Sequence, residues 1–91
     1  MAGEARLRRG DLATQDLAGE TLVFLPEGDV CTINASAREV WELCNAERTA
    51  AEIAEAFADL HPREDREAMV SDALAAISQL RQAGLIEPAD S

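Results

Sequence analysis

The stretch "ETLVFLPEGDVCTINASAREVWELC", residues 20–44, changes its period midway, and that change decides the fold. Its first half alternates. "ETLVFL" and "VCTIN" are rich in β-branched and aromatic residues and read as strands. Between them "PEGD" supplies turn chemistry through Pro26 and Gly28, so the three pieces predict a hairpin. Alternation places Leu22 and Phe24 on one face and Val23 and Leu25 on the other. Cys31 and Ile33 share a face, and Val30, Thr32 and Asn34 take the opposite one. At Ser36 the period becomes helical. Ser36 and Glu39 fit a capping box, and Ala37, Val40, Trp41 and Cys44 fall at i, i+3, i+4, i+7 on one apolar stripe.

Working outward, "DLATQDL" predicts a weaker strand ahead of the hairpin. After the short break "NAER", Thr49 and Glu52 form a second capping box. It opens a helix whose stripe is Ala50, Ile53, Ala54, Phe57 and Leu60. The two short helices look like a helix-turn-helix. Pro62 ends the second one. A third helix follows over about 64–83, with Val70, Ala73, Leu74, Ile77 and Leu80 in its stripe and Met69 at the flank. Gly84 stands where a C-terminal cap belongs, and "LIEP" packs back or adds a short strand. The organisation predicted is a polar, loosely held N-terminus over 1–10, one domain over 11–87 and a tail over 88–91. The fold class is α+β and winged-helix-like: an N-terminal three-stranded antiparallel sheet packed on three helices.

Composition narrows the function. A chain of 91 residues with 47% hydrophobic content forms a single domain with a modest core and little room for a deep pocket. Eighteen acidic residues against eight basic ones give a net charge of −10. Phosphate backbones and anionic membrane surfaces repel such a domain, whereas basic peptides or basic protein surfaces are steered toward it. No signal peptide or membrane-length apolar run occurs, so the expected location is the cytoplasm, where thiols stay reduced.

No chemistry-bearing motif stands out. Cys31 and Cys44 have twelve residues between them and only His61 to join them, too few ligands for a metal site. Both read as small packed hydrophobes, and His61 as a loop residue. The carboxylates fall on polar helix faces, and the five glycines are scattered, so neither a catalytic pair nor a phosphate loop is indicated. No cofactor is implied. An acyl carrier protein needs a serine in an Asp-Ser-Leu context, which neither Ser36 nor Ser71 provides. The second helix of a DNA-binding winged helix should be basic, but here its polar face is Glu52, Glu55 and Asp59. Three short strands leave at least one sheet edge open. Such an edge either adds an extended peptide as a further strand or is blunted by charge or covered by a tail.

The order of short features resembles the PqqD family of peptide chaperones, the standalone form of the RiPP recognition element. "PEG" at 26–28 sits in the hairpin turn, Ile33-Asn34 ends the strand, and Ser36-Ala37 opens the first helix. "ELC" closes that helix at Cys44. "RTAAEIA" opens the second with Thr49, Glu52 and Ile53 in place, and "SDALAAISQLRQAGLI" matches the last helix. The likeness spans about residues 12–87. It departs at "CNAERT", where the family usually has an Asp-Gly turn. It departs again at "AGLI", where members of the pyrroloquinoline quinone pathway tend to have Gly-Trp-Leu, so lasso-peptide and other peptide pathways stay open.

The resemblance implies a non-enzymatic protein that binds the leader of a ribosomally made precursor by strand addition. It would present that peptide to a modifying enzyme, a radical SAM enzyme or a leader peptidase. Carried onto this chain, the peptide-binding strand residues are Val30, Cys31, Thr32 and Ile33, and the facing helix offers Met69, Ala73, Ala76, Ile77 and Leu80. Arg38, Arg63, Arg66 and Arg81 are available for acidic leader residues or are simply solvated. The second reading of the same elements is an acidic winged-helix regulator acting through protein contacts.

Overall fold

A computed structural model describes residues 5–89 of the chain. Strands β1 (Arg6–Arg9), β2 (Ala13–Leu17), β3 (Glu20–Phe24) and β4 (Val30–Asn34) are followed by helix α1 (Ala35–Glu42). Then come β5 (Asn45–Thr49), α2 (Ala50–Asp59), α3 (Arg66–Gln82) and β6 (Ile86–Pro88). The strands form two antiparallel three-stranded sheets, ordered β2-β3-β4 and β5-β1-β6.

The first sheet is the one that the alternating pattern predicts. A two-residue turn at Ala18–Gly19, both at positive φ, joins β2 to β3. Both residues left-handed is the backbone that matches the twist of a tight hairpin. The β3–β4 hairpin closes through the Leu25 N–H donating to the Asp29 carbonyl at 2.8 Å, with Gly28 at φ 101°. The inward face of β3 is the one that carries Val23. Thr21 and Val23 are buried, while Leu22 is half-buried and Phe24 pairs with Val30 on the exposed outer face. The register explains this choice: Val23 lies opposite Cys31 and Thr21 opposite Ile33, so the face of β4 that enters the core fixes the matching face of β3. Thr21 avoids an unpaired buried hydroxyl by donating to Asp16 at 2.8 Å and accepting from Arg38 at 2.9 Å.

The second sheet corrects the domain limits. Arg6–Arg9, expected to be loosely held, is its middle strand, and Leu7 is 2% exposed. Pro88, expected in the tail, pairs with Leu7, and the Ala89 N–H donates to the Arg6 carbonyl at 2.7 Å. The remainder of both expected terminal segments, residues 1–4 and 90–91, lies outside the described residues. The "NAER" break is strand β5 rather than a turn, with Ala46 at φ 73°.

The helix starts differ in how far the pattern held. Asn34, not Ser36, caps α1: its Oδ1 accepts from the Ala37 N–H at 2.8 Å. β4 runs straight into the helix, so the last strand residue reaches the first orphan N–H groups, and asparagine is a strong cap. Glu39 is thereby released to bond His61 at 2.7 Å. The Thr49–Glu52 capping box is present as read, with both reciprocal bonds formed. Gly84, at φ 81°, ends α3: the Leu85 N–H reaches the Leu80 carbonyl and the Gly84 N–H the Arg81 carbonyl. That bond pair is a Schellman motif, and it brings Leu80 and Leu85 together.

The core gathers one stripe from each helix. Val40, Trp41 and Cys44 meet Ile53, Ala54 and Phe57, together with Ala73, Ile77 and Leu80, beneath Val23, Ile33, Leu85 and Ile86. Leu60 and Leu74, assigned to stripes by spacing, are exposed at the helix flanks. Trp41 is 1% exposed, and its Nε1–H donates to the Leu85 carbonyl at 2.9 Å, so the largest core side chain leaves no polar atom unpaired.

Candidate functional site

β4 is an edge strand, paired with β3 alone among the described residues. The Leu25–Asp29 bond sets the alternation of the ladder. Val23–Cys31 and Thr21–Ile33 are therefore the hydrogen-bonded pairs, and Val30 and Thr32 aim their N–H and C=O groups away from β3. These outward groups are the unpaired rungs on which a further strand would form.

Beside that edge runs a groove. Its first half, about 170 Å³, lies between Cys31–Asn34 and the C-terminal half of α3, lined by Ala76, Gln79, Leu80 and Ala83 with Ala37 and Leu85. It continues into a second hollow of about 290 Å³ bounded by Asn34, Ser36, Ala37, Asp72, Ala75, Ala76 and Gln79. The groove exists because α3 shows it small side chains. Ala76, Gln79 and Ala83 stand at i, i+3, i+7, a row adjacent to the core row of Ala73, Ile77 and Leu80. Leu80 serves both, forming the floor.

The nine residues carried over from the resemblance therefore separate. Cys31, Thr32, Ile33, Ala76 and Leu80 are brought together along the groove. Val30 contributes its backbone to the edge, but its side chain is on the outer face, 53% exposed. Ala73 and Ile77 are buried in the core, and Met69 packs half-buried against it. Sequence reasoning missed Asn34, Ala37, Gln79, Ala83 and Leu85. The row of small residues along α3 was a readable signal for part of that set. The placing of Ala37 and Leu85 depends on how α1 and the Schellman turn pack.

The arginines are mostly spent inside the fold. Arg38 donates to Glu42 and Asp16, each at 2.7 Å, tying α1 to β2. Those partners, Glu42 foremost, hold its guanidinium above its ordinary pKa. Thr21 first and Arg38 next hold the Asp16 carboxyl below its own. Arg66 binds Asp59 at 2.9 Å and Glu55 at 3.4 Å, and Asp59 is the main cause of its raised pKa. Arg63 and Arg81 are exposed. The outer side of α2 presents Glu52, Glu55 and Asp59, a face that repels a phosphate backbone.

The two thiols differ. Both are free; Cys31 is half-buried at the groove, while Cys44 is fully buried and burial pushes its thiol up to about 11. Among the described residues no three metal-binding side chains are grouped, and no helix is long and apolar enough to cross a membrane.

Comparisons with known proteins give a family from sequence and a fold from structure. The model of the PqqD family, coenzyme PQQ synthesis protein D, matches residues 17–86. The solved structure of TbiB1 in complex with the TbiA(beta) leader peptide is similar, with a TM-score of 0.65 and 20% identity. The likeness covers 88% of this chain and 94% of that one. No curated protein matches the chain in sequence.

Proposed function

The chain belongs to the PqqD family, and on that premise we propose that it binds the leader of a ribosomally synthesised precursor peptide and presents it to a maturation enzyme. The observation that carries this is the pairing of an open strand edge with a groove: Val30 and Thr32 offer backbone bonds, while Cys31, Ala37, Ala76 and Ala83 line the hollow beside them over a floor of Ile33, Leu80 and Leu85. Main-chain bonds supply affinity in such an arrangement, and side-chain pockets fix register. The bound leader peptide of the similar TbiB1 structure supports the same reading. The protein acts in the cytoplasm by binding rather than by catalysis and needs no cofactor. Its enzyme partner is a radical SAM enzyme or a leader peptidase, and its net charge of −10 steers it away from nucleic acids and anionic membranes.

The test is a titration of the full chain with the leader of the precursor encoded beside it, followed by amide NMR. Shifts are expected at residues 30–34 and 76–85. Saturating leader that moves only α2, or moves nothing, would refute the proposal.

A further inference from the structure

We propose that the groove has two unlike halves and that the second selects a cation: a lysine or arginine of the guest peptide, four residues from an apolar side chain, seats against Asp72. This rests on the peptide-binding reading and adds a side-chain pattern to it.

The first half is floored by Ile33, Leu80 and Leu85 and holds about 170 Å³, suited to one branched aliphatic side chain. The second is larger, about 290 Å³; it shares Asn34, Ala37, Ala76 and Gln79 with the first and adds Ser36, Asp72 and Ala75. Its one charged lining residue is Asp72. The other carboxylates around α1 are engaged: Asp16 and Glu42 by Arg38, and Glu39 by His61. Asp72 makes no ion pair or side-chain hydrogen bond among the described residues. Opposing it is the start of α1, whose dipole presents roughly half a positive charge. A full carboxylate charge outweighs that, and the net charge of −10 adds to the same sign. A cation is therefore favoured over an anion in this half.

The spacing follows from geometry. Asp72 and Leu80 are eight residues apart on α3, roughly 12 Å along its axis. A strand covers that in about four residues at roughly 3.3 Å each, and an even spacing keeps both side chains on one face.

The experiment pans a displayed library of random dodecapeptides on the full chain, on Asp72→Asn and on Asp72→Lys, then titrates synthesised clones by fluorescence at low salt. Clones selected on the parent chain should carry an aliphatic residue with Lys or Arg four positions away. Replacing that cation by Gln should weaken binding about three- to five-fold on the parent and leave affinity for Asp72→Asn unchanged. Asp72→Lys should select Asp or Glu at that position. Binding clones without a basic preference, or an equal loss on Asp72→Asn, would overturn the two-half groove and leave the peptide-binding reading standing. A failure of all clones and of the neighbouring leader to bind would overturn both. Asp72 is exposed, so both variants should match the parent in circular dichroism.

Discussion

The two sheets have the same strand count and opposite construction. In β2-β3-β4 every connection is a short turn, and the strands follow one another over residues 13–34. In β5-β1-β6 the strands come from residues 6–9, 45–49 and 86–88, so the sheet joins the two ends of the chain to its middle. One sheet forms from local signals and leaves its β4 edge beside a groove. The other is assembled from distant segments, and its β1 ties both ends of the described chain to the middle. The difference separates the work of binding from the work of closure, and each can be broken without the other.

Among side-chain truncations the largest expected effect is on closure. Leu7→Ala removes the buried side chain of β1, which packs with Ile86 and the helices in one core. It should cost about 2–4 kcal/mol in denaturant unfolding. Below its own transition the variant should still bind leader peptide with parental affinity, because β4 and α3 are untouched. A large loss of affinity in the folded variant would show that the second sheet shapes the groove.

Proline at adjacent positions of β4 tests the edge. The Thr32 N–H points out from the sheet, so Thr32→Pro keeps the ladder, and edge strands tolerate proline. Leader affinity should fall at least about ten-fold, the equivalent of about 1.4 kcal/mol, with little change in stability. Ile33→Pro instead removes a ladder bond and buried apolar surface and should unfold the protein. Equal binding by Thr32→Pro and the parent would exclude strand addition at this edge.

That contrast also explains what the residues revealed beforehand. The hairpin, the Thr49–Glu52 box and the Gly84 stop were legible because each signal is local: a turn residue, a cap, a period. β1 was illegible because Leu7 is a single apolar residue among arginines, and its partners lie roughly 40 and 80 positions away. β5 was hidden in the same way, since "NAER" has no strand character apart from its pairing with β1. Of the residues expected at the site, Cys31, Thr32 and Ile33 line the strand side of the groove and Ala76 and Leu80 the helix side. Ala73 and Ile77, carried over from the resemblance, are core residues, and the groove wall on α3 is the neighbouring row of Ala76, Gln79 and Ala83. The apolar stripe of α3 marks what is buried, and the row beside it marks what is open.

The cysteines give a chemical readout of the same division. At pH 8 an alkylating reagent should modify Cys31 and spare Cys44, whose thiol is buried and raised to about 11. Saturating leader should slow Cys31 modification several-fold, because Cys31 lines the groove. Mass spectrometry of the labelled peptides reads both. A Cys31 rate unaffected by leader would place the guest elsewhere.

The smallest effect concerns how each sheet hands over to a helix. Asn34 ends β4 and caps α1, while Thr49 ends β5 and caps α2. Only the second cap contains a titrating group. The backbone N–H of Thr49 bonds the Glu52 carboxylate and holds its pKa below the ordinary 4.5. A carboxyl whose folded pKa is depressed stabilises the fold above its unfolded value and loses that contribution as pH falls through the folded one. Glu52→Gln should therefore be less stable than the parent at pH 7, and the gap should close as pH drops below about 4.5. Asn34→Ala should cost about 1 kcal/mol at every pH, since an uncharged cap has no proton to lose. Thermal melts of the parent and both variants between pH 3 and 7 would distinguish the two behaviours. A gap for Glu52→Gln that is flat across this range would mean that its carboxylate acts in the cap only as a hydrogen-bond acceptor, no better charged than neutral.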